Sequence, residues 1–342
     1  MKRWSFSPRT LAASVAAALL AGCGGGVQTQ PGVPFGALPN GGVAARVANG
    51  TPAAQRELLR RHAGRHSWMA PGVRGRPLFY AGGDESSFVL TSSGKVVGQI
   101  AETSFGTCSD LNGDVFFTQV QQIVEYAHGA TTPKAIFTAP GTVYSCSVDP
   151  TTGSLAAVVF CLSGCGDEIS VWSTPGDPIA TYADSGLPSL LYCAYDKSGN
   201  LFVDGYNGSA FGLGELPAGG SALENYTVSQ NIMFAAQIQW DGTDIAVETK
   251  DSPTIYQLQL DGSTATVVGS TTLSGTGTRA TQSWIFGGKV AVPTAPGTKR
   301  AIEILFWKYP AGGYPVRSFT GFIGKGHAML DGVTLSKPPK SS

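Results

Sequence analysis

The chain has 342 residues, enough for one large domain or two ordinary ones. Charged residues are only 13% of it, against 46 Gly and 21 Pro, and the formal net charge is zero. That balance creates no overall field to attract nucleic acid or acidic polymers, and a 42% hydrophobic share argues against disorder in the body of the chain. Low charge with abundant Gly suits many short strands joined by tight turns.

Lys2, Arg3 and Arg9 make a basic start, and Leu11 to Ala21 is an apolar run too short to span a bilayer as a mature helix. It ends in Leu20-Ala21-Gly22-Cys23, which resembles the lipobox of bacterial lipoproteins. The resemblance implies a signal peptide over residues 1–22 and lipidation of Cys23 with a diacylglyceryl group and an N-acyl chain of the palmitate kind. It places the protein in a bacterial cell envelope, lipid-anchored on the periplasmic side or at the cell surface. Each buried CH2 contributes about 0.8 kcal/mol, so several chains hold a protein stably at a membrane.

Residues 23–50 are Gly, Pro, Val and Ala with almost no charge and read as a flexible tether. Residues 51–70 read as a short basic helical segment. Thr51 suits an N-cap, Pro52 the first helical position and Gly64 a stop. The segment is expected to act as a spacer docked on the body.

From residue 76 to 336 a strand–turn–strand unit recurs, most clearly at Tyr192-Cys193-Ala194-Tyr195-Asp196-Lys197-Ser198-Gly199-Asn200-Leu201-Phe202-Val203-Asp204. The turn glycines Gly113, Gly153, Gly199, Gly242, Gly287 and Gly332 space six units by 40 to 46 residues. A second hairpin follows each of the first five, as Ile123–Tyr126 leads to Ala135–Phe137. Two hairpins make a four-stranded blade. The predicted fold is all-β, a six-bladed β-propeller of four-stranded blades. Residues 328–335, read as one hairpin with a turn at Asp331-Gly332, would pair with residues 78–100 to close the ring with N- and C-terminal strands. Whether closure is one strand with three or two with two is left open. Asp196-Lys197-Ser198-Gly199-Asn200-Leu201-Phe202-Val203 resembles the turn and second strand of NHL-repeat propellers, a family that includes binding modules, scaffolds and enzymes.

Cys108, Cys146 and Cys193 fall in three consecutive first strands and look equivalent, so they are expected to point the same way and to fill space between blades, unbridged. Cys161 and Cys165 share a tight loop and could form a disulfide. Asp110-Leu111-Asn112-Gly113-Asp114 superficially matches a calcium loop, but its Gly is misplaced and Gln121 stands where the twelfth-position Glu belongs, so a hairpin turn is expected.

Propellers of this kind carry ligands at one mouth of the central channel, lined by the loops from second to third strand and from fourth strand to the next first strand. These loops hold Asp204, Asn207, Glu248, Asp251 and His327 as candidate ligand-binding residues. Asp204 and Glu248 fall at matching positions in adjacent blades. No nucleophile elbow, phosphate loop or dinucleotide fingerprint stands in a fitting context, and four His are too few for a multi-His centre. No catalytic residue, metal or cofactor can be named. The first expectation is therefore a non-catalytic binding or scaffold module, with the membrane and an envelope protein or polymer as partners. The alternative is a Ca-type hydrolase resembling the gluconolactonase-like enzymes, with Asp204, Asn207 and Glu248 as oxygen ligands. A quinone-dependent dehydrogenase is disfavoured, because the Trp residues do not recur at blade ends.

Overall fold

A computed structural model describes residues 66–160, 166–250, 252–275, 282–294, 303–320 and 330–339. Among them the regular elements are 24 strands in curled, largely antiparallel sheets. No helix there is long and apolar enough to cross a membrane.

Four strands come first: β1 (Trp68–Met69), β2 (Leu78–Gly83), β3 (Ser87–Thr91) and β4 (Val96–Ile100). Then come β5 (Gly106–Ser109), β6 (Val115–Thr118), β7 (Val120–Tyr126), β8 (Pro133–Val148), β9 (Leu155–Phe160), β10 (Glu168–Trp172) and β11 (Ala180–Tyr182), which form one sheet in sequence order. The 16-residue β8 serves two meanders, pairing with β7 through its first half and with β9 through its second. Next are β12 (Ser189–Tyr195), β13 (Leu201–Asn207), β14 (Ala210–Leu216) and β15 (Glu224–Val228), then β16 (Ala235–Trp240), β17 (Ile245–Thr249), β18 (Thr254–Asp261) and β19 (Thr264–Thr272). These two meanders join where β15 and β19 pair in parallel. The strands β20 (Trp284–Phe286), β21 (Lys289–Thr294), β22 (Glu303–Lys308) and β23 (Gly312–Phe319) form a sheet of their own. Finally β24 (Leu330–Ser336) returns to pair with β2, which closes the first sheet in the order β1-β4-β3-β2-β24.

The recurring turn has a definite chemistry. Asp110, Asp149, Asp196 and Asp241 each turn a side-chain oxygen back onto backbone N–H groups of their own hairpin, Asp196 onto Ser198 and Asn200 at 2.7 and 2.9 Å. The glycine that follows sits in the left-handed region, with φ of 85° at Gly113 and 86° at Gly199. Asp110–Asp114 is thus the hairpin turn that the sequence predicts.

Between these turns the strands are apolar on both faces, because another meander covers each side. In β9, Leu155, Ala157 and Val159 pack with Phe116, Phe137 and Trp172, while Ala156 and Val158 pack with Leu190, Leu201 and Val203. All these side chains are buried, and at about 25 cal/mol per Å2 of apolar surface this interleaving is the main stabilising term.

The strands β5, β12, β16, β20 and β24, each the first of a meander, are sheet edges with unpaired backbone groups. Side chains from neighbouring meanders satisfy them. Ser145 Oγ accepts the Cys193 N–H at 2.9 Å, and Ser147 Oγ accepts that of Tyr195 at 2.9 Å. Gln239 clasps the N–H and C=O of Ile285 at 2.8 and 2.9 Å, and Gln282 clasps those of Thr107 at 2.7 and 3.0 Å.

The structure corrects three expectations. Cys108 and Cys146 form a disulfide, with Cα atoms 5.7 Å apart. Counted back from the turn Asp, Cys146 and Cys193 stand three residues away and Cys108 only two. One residue flips a side chain to the opposite face, so Cys108 meets Cys146 instead of pointing the same way. Cys193 is free and buried, as the filler reading expects. Second, Asp331-Gly332 is no turn. β24 continues through it with a bulge at Asp331, and closure is one C-terminal strand with β2, β3 and β4. Third, the tail of the basic segment contains a strand: Trp68 and Met69 pair with Gln99 and Gly98. Residues 51–65, Cys23, Cys161, Cys165, Asp251 and His327 lie outside the described residues.

Candidate functional site

Two adjacent meanders carry the same device. In β12 the register slips between Leu190 and Cys193, and in β16 between Ala235 and Ile238. Opposite these bulges stand Asp204 on β13 and Glu248 on β17, at matching positions as the repeat predicts. Glu248 stands one residue before the end of β17 and Asp204 midway along β13, and both are fully buried, at 1% and 0% exposure.

Asp204 Oδ1 accepts the Tyr192 N–H at 2.9 Å, while Oδ2 has no partner. Both Glu248 oxygens lack one too. The Ser283 hydroxyl and N–H face the Glu248 carboxyl and favour its charge, without closing a hydrogen bond of normal geometry. Burial dominates in each case. It pushes Asp204 well above the usual carboxylate range and Glu248 up to about 7. Lys250, exposed at the end of β17, pulls both acids the other way without pairing with either. Its Nζ stands 5.9 Å from the Tyr192 ring centre.

Glu102 shows what a structural buried acid looks like in this fold. It is also fully buried, but Gln119 donates to one oxygen at 2.8 Å and Tyr126 to the other at 3.0 Å. Native proteins leave few buried polar atoms unsatisfied, so Asp204 and Glu248 require a reason of their own.

Tyr192 ties the cluster together. Its hydroxyl feels the negative charges of Asp204, Glu248 and Asp331 and lies near Tyr144. Burial and the Asp84 charge push Asp331 itself up to about 7. Tyr144 is 39% exposed, stacked on the similarly exposed Phe105 at 5.2 Å, with Phe160 edge-on at 4.6 Å. Met233 and Phe234, just before β16, are also exposed at this end, at 58% and 54%. Aromatic and acidic groups thus surround one end of the inner strands.

Of the other candidates only Asn207 is among the described residues, and it does not join this cluster. Asn207 is exposed, and its amide donates to Gly186 O at 3.3 Å. Sequence reasoning missed Asp331, read as a turn residue, and the aromatics Phe105, Tyr144 and Phe160. The signal for the aromatics was their place at the ends of predicted inner and second strands. An open groove of about 640 Å3 lies at the opposite end, between the β16–β17 and β20–β21 turns, lined in part by Asp241, Asp244, Gln257 and Tyr309. Its chemistry is internally satisfied: Tyr309 donates to Asp241 at 2.6 Å, and Asp241 also caps its own turn. The unpartnered acids make the first end the stronger candidate.

No family model matches the chain, nor does any curated protein compared with it. Solved structures do. One is a chain from the crystal structure of a nidogen/laminin complex, 10% identical, with a TM-score of 0.58 over 77% of this chain and 99% of that one. A functionally unknown protein from Desulfotomaculum acetoxidans is 13% identical, with a TM-score of 0.50 over 76% and 99%. A β-propeller domain of Cps50 (Swd1) from Myceliophteria thermophila is 14% identical, with a TM-score of 0.49 over 71% and 83%. At such identities the likeness is one of fold, and the fold is a β-propeller.

Proposed function

We propose that this protein is a lipid-anchored, six-bladed propeller of the bacterial cell envelope that acts as a non-catalytic binding or scaffold module. Six meanders follow from counting β24 with β2–β4 as the last blade, and the lipobox at Leu20–Cys23 supports the anchor. The observation that carries the binding reading is the contrast at the inner-strand ends: exposed aromatics around buried carboxyl oxygens that have no partner. Exposed aromatics beside unsatisfied polar atoms favour a recognition surface. The similar chain from the nidogen/laminin complex comes from an assembly of proteins, which agrees with a protein partner here.

Two measurements test this. Cys23→Ser should move the protein from the membrane to the soluble fraction; if it stays bound, the anchor reading is wrong. A photoreactive residue at Phe105 should cross-link a specific envelope component that one at Leu111, on the opposite end, does not. Equal labelling from both positions would remove the mouth as the recognition surface.

The Ca-type hydrolase is the second reading, supported by the unpartnered oxygens of Asp204 and Glu248. Burial favours the protonated forms of both, whereas Ca2+ takes ionised carboxylates. A calcium-dependent rise in melting temperature that Glu248→Gln abolishes would favour it over the first.

A further inference from the structure

The three unpartnered carboxyl oxygens sit on β13 and β17, and the Gln237 Oε1 in the β16 bulge lacks a partner as well. With the two carboxyls ionised all four are acceptors, and a cation brought close favours that ionised form against burial. Ser283 faces Glu248 without closing a hydrogen bond and Lys250 pairs with neither acid, so the best complement to two buried carboxyls is a further, charged donor. Among the described residues no group of three His, Cys, Asp or Glu could hold a metal ion. An ammonium or guanidinium needs no such set, because its own N–H groups reach the acceptors.

The surroundings say what should carry that cation. The acids are fully buried, so the group must reach inward on a stem. Phe105, Tyr144 and Phe160 form a continuous aromatic wall, and Tyr144 is near enough to Tyr192 to act on its hydroxyl electrostatically, as the acids do. An aliphatic stem packs on such a wall while its charged tip goes deeper. We infer that the Asp204–Glu248 end of the propeller receives a lysine or arginine side chain of a protein partner, with its stem on Phe105, Tyr144 and Phe160. This deepens the binding-module reading and rests on it.

Lys250 sharpens the assignment. It is exposed and close enough to lower both acids, so it acts as a like charge toward an incoming cation. Removing it should strengthen the binding of a cation and weaken that of an anion.

The test uses the full-length chain in detergent and a peptide of one lysine flanked by two phenylalanines, with its termini blocked, followed by calorimetry. The expected result is saturable binding that weakens at least about tenfold when the lysine is acetylated and equally in Glu248→Gln. Lys250→Met should bind as tightly or more tightly. Glu248→Gln should melt no lower than the parent at pH 8, which separates lost recognition from lost fold; Asp204→Asn gives a second, independent variant. Equal binding of the acetylated peptide would overturn the cation assignment and leave an apolar docking surface. Calcium alone saturating the site, with loss in Glu248→Gln, would overturn it in favour of a metal. No peptide binding, with position-specific cross-linking from Phe105 intact, would overturn this inference and spare the binding module. Loss of both would overturn both.

Discussion

Asp204 Oδ1 accepts the backbone N–H of Tyr192 at 2.9 Å, while its second oxygen, equally buried, accepts nothing. One carboxyl thus has a structural half and an idle half. The structural half holds the bulge in β12, where the inner strand cannot pair with β13. An amide oxygen could do that work as well as a carboxylate.

Asp204→Asn should therefore stay within about 1 kcal/mol of the parent, whereas Asp204→Ala should lose about 1–3 kcal/mol by stranding the Tyr192 N–H. Urea denaturation at pH 7 reads both. If Asn proves as damaging as Ala, the charge and not the cap is structural, and the idle-half reading fails.

Glu248 sets a pH dependence. Its carboxyl is pushed from 4.5 up to about 7, so the folded state keeps a proton that the unfolded state releases. Its contribution is full below pH 4.5 and is lost as pH rises through about 7, by roughly 3 kcal/mol in total. Asp331 and Glu125, also raised to about 7, act in the same direction, as does Asp204; His128, lowered from 6.5, opposes them. Stability should fall between pH 5 and pH 8, and Glu248→Gln should flatten the slope. The parent–variant difference isolates Glu248 from the Lys250, Ser283 and Tyr192 groups that face it. A difference independent of pH would show that Glu248 is solvated.

The sequence repeat carried most of the fold, because each hairpin has its own Asp-capped turn and positive-φ glycine. These are local interactions that a local pattern can encode. The failures came where one residue of register decides. Cys108 and Cys146 look equivalent until each is measured from its turn Asp, and Asp331-Gly332 looks like a turn until β2 supplies its partner strand. Site residues were legible in part. Asp204 and Glu248 could be placed by counting strands. Their isolation from donors is a tertiary fact, and the wall of Phe105, Tyr144 and Phe160 forms only when separate strand ends meet.

The disulfide closes a loop across 38 residues and two meanders. In the chain-entropy account this constrains the unfolded chain by about 4 kcal/mol. Cys108→Ser with Cys146→Ser should lower stability by up to that amount, and non-reducing peptide mapping of the parent should show the two linked. Cys193 should resist alkylation until the protein unfolds, because it is buried and its thiol is pushed up. A Cys146–Cys193 linkage would mean the register of β5 is wrong.

Gln282 clasps Thr107 on β5 from the chain just before β20, and its side chain passes Gly332 of β24 on the way. A methyl group at Gly332 would collide with Gln282 Oε1, so glycine serves here as clearance and not as a turn. Gln282→Ala should cost roughly 2–4 kcal/mol, since both Thr107 backbone groups lose a buried partner. Gly332→Ala should be similarly harmful, by forcing the same side chain off Thr107. The two changes share one cause, so the double variant should be little worse than either single one, with a coupling energy of at least about 1 kcal/mol. Full additivity in a double-mutant cycle by urea denaturation would show that Gly332 matters for some other reason. Slow hydrogen exchange at the Thr107 amide, lost in all three variants, would identify the clasp as the link between the edges of β5 and β20.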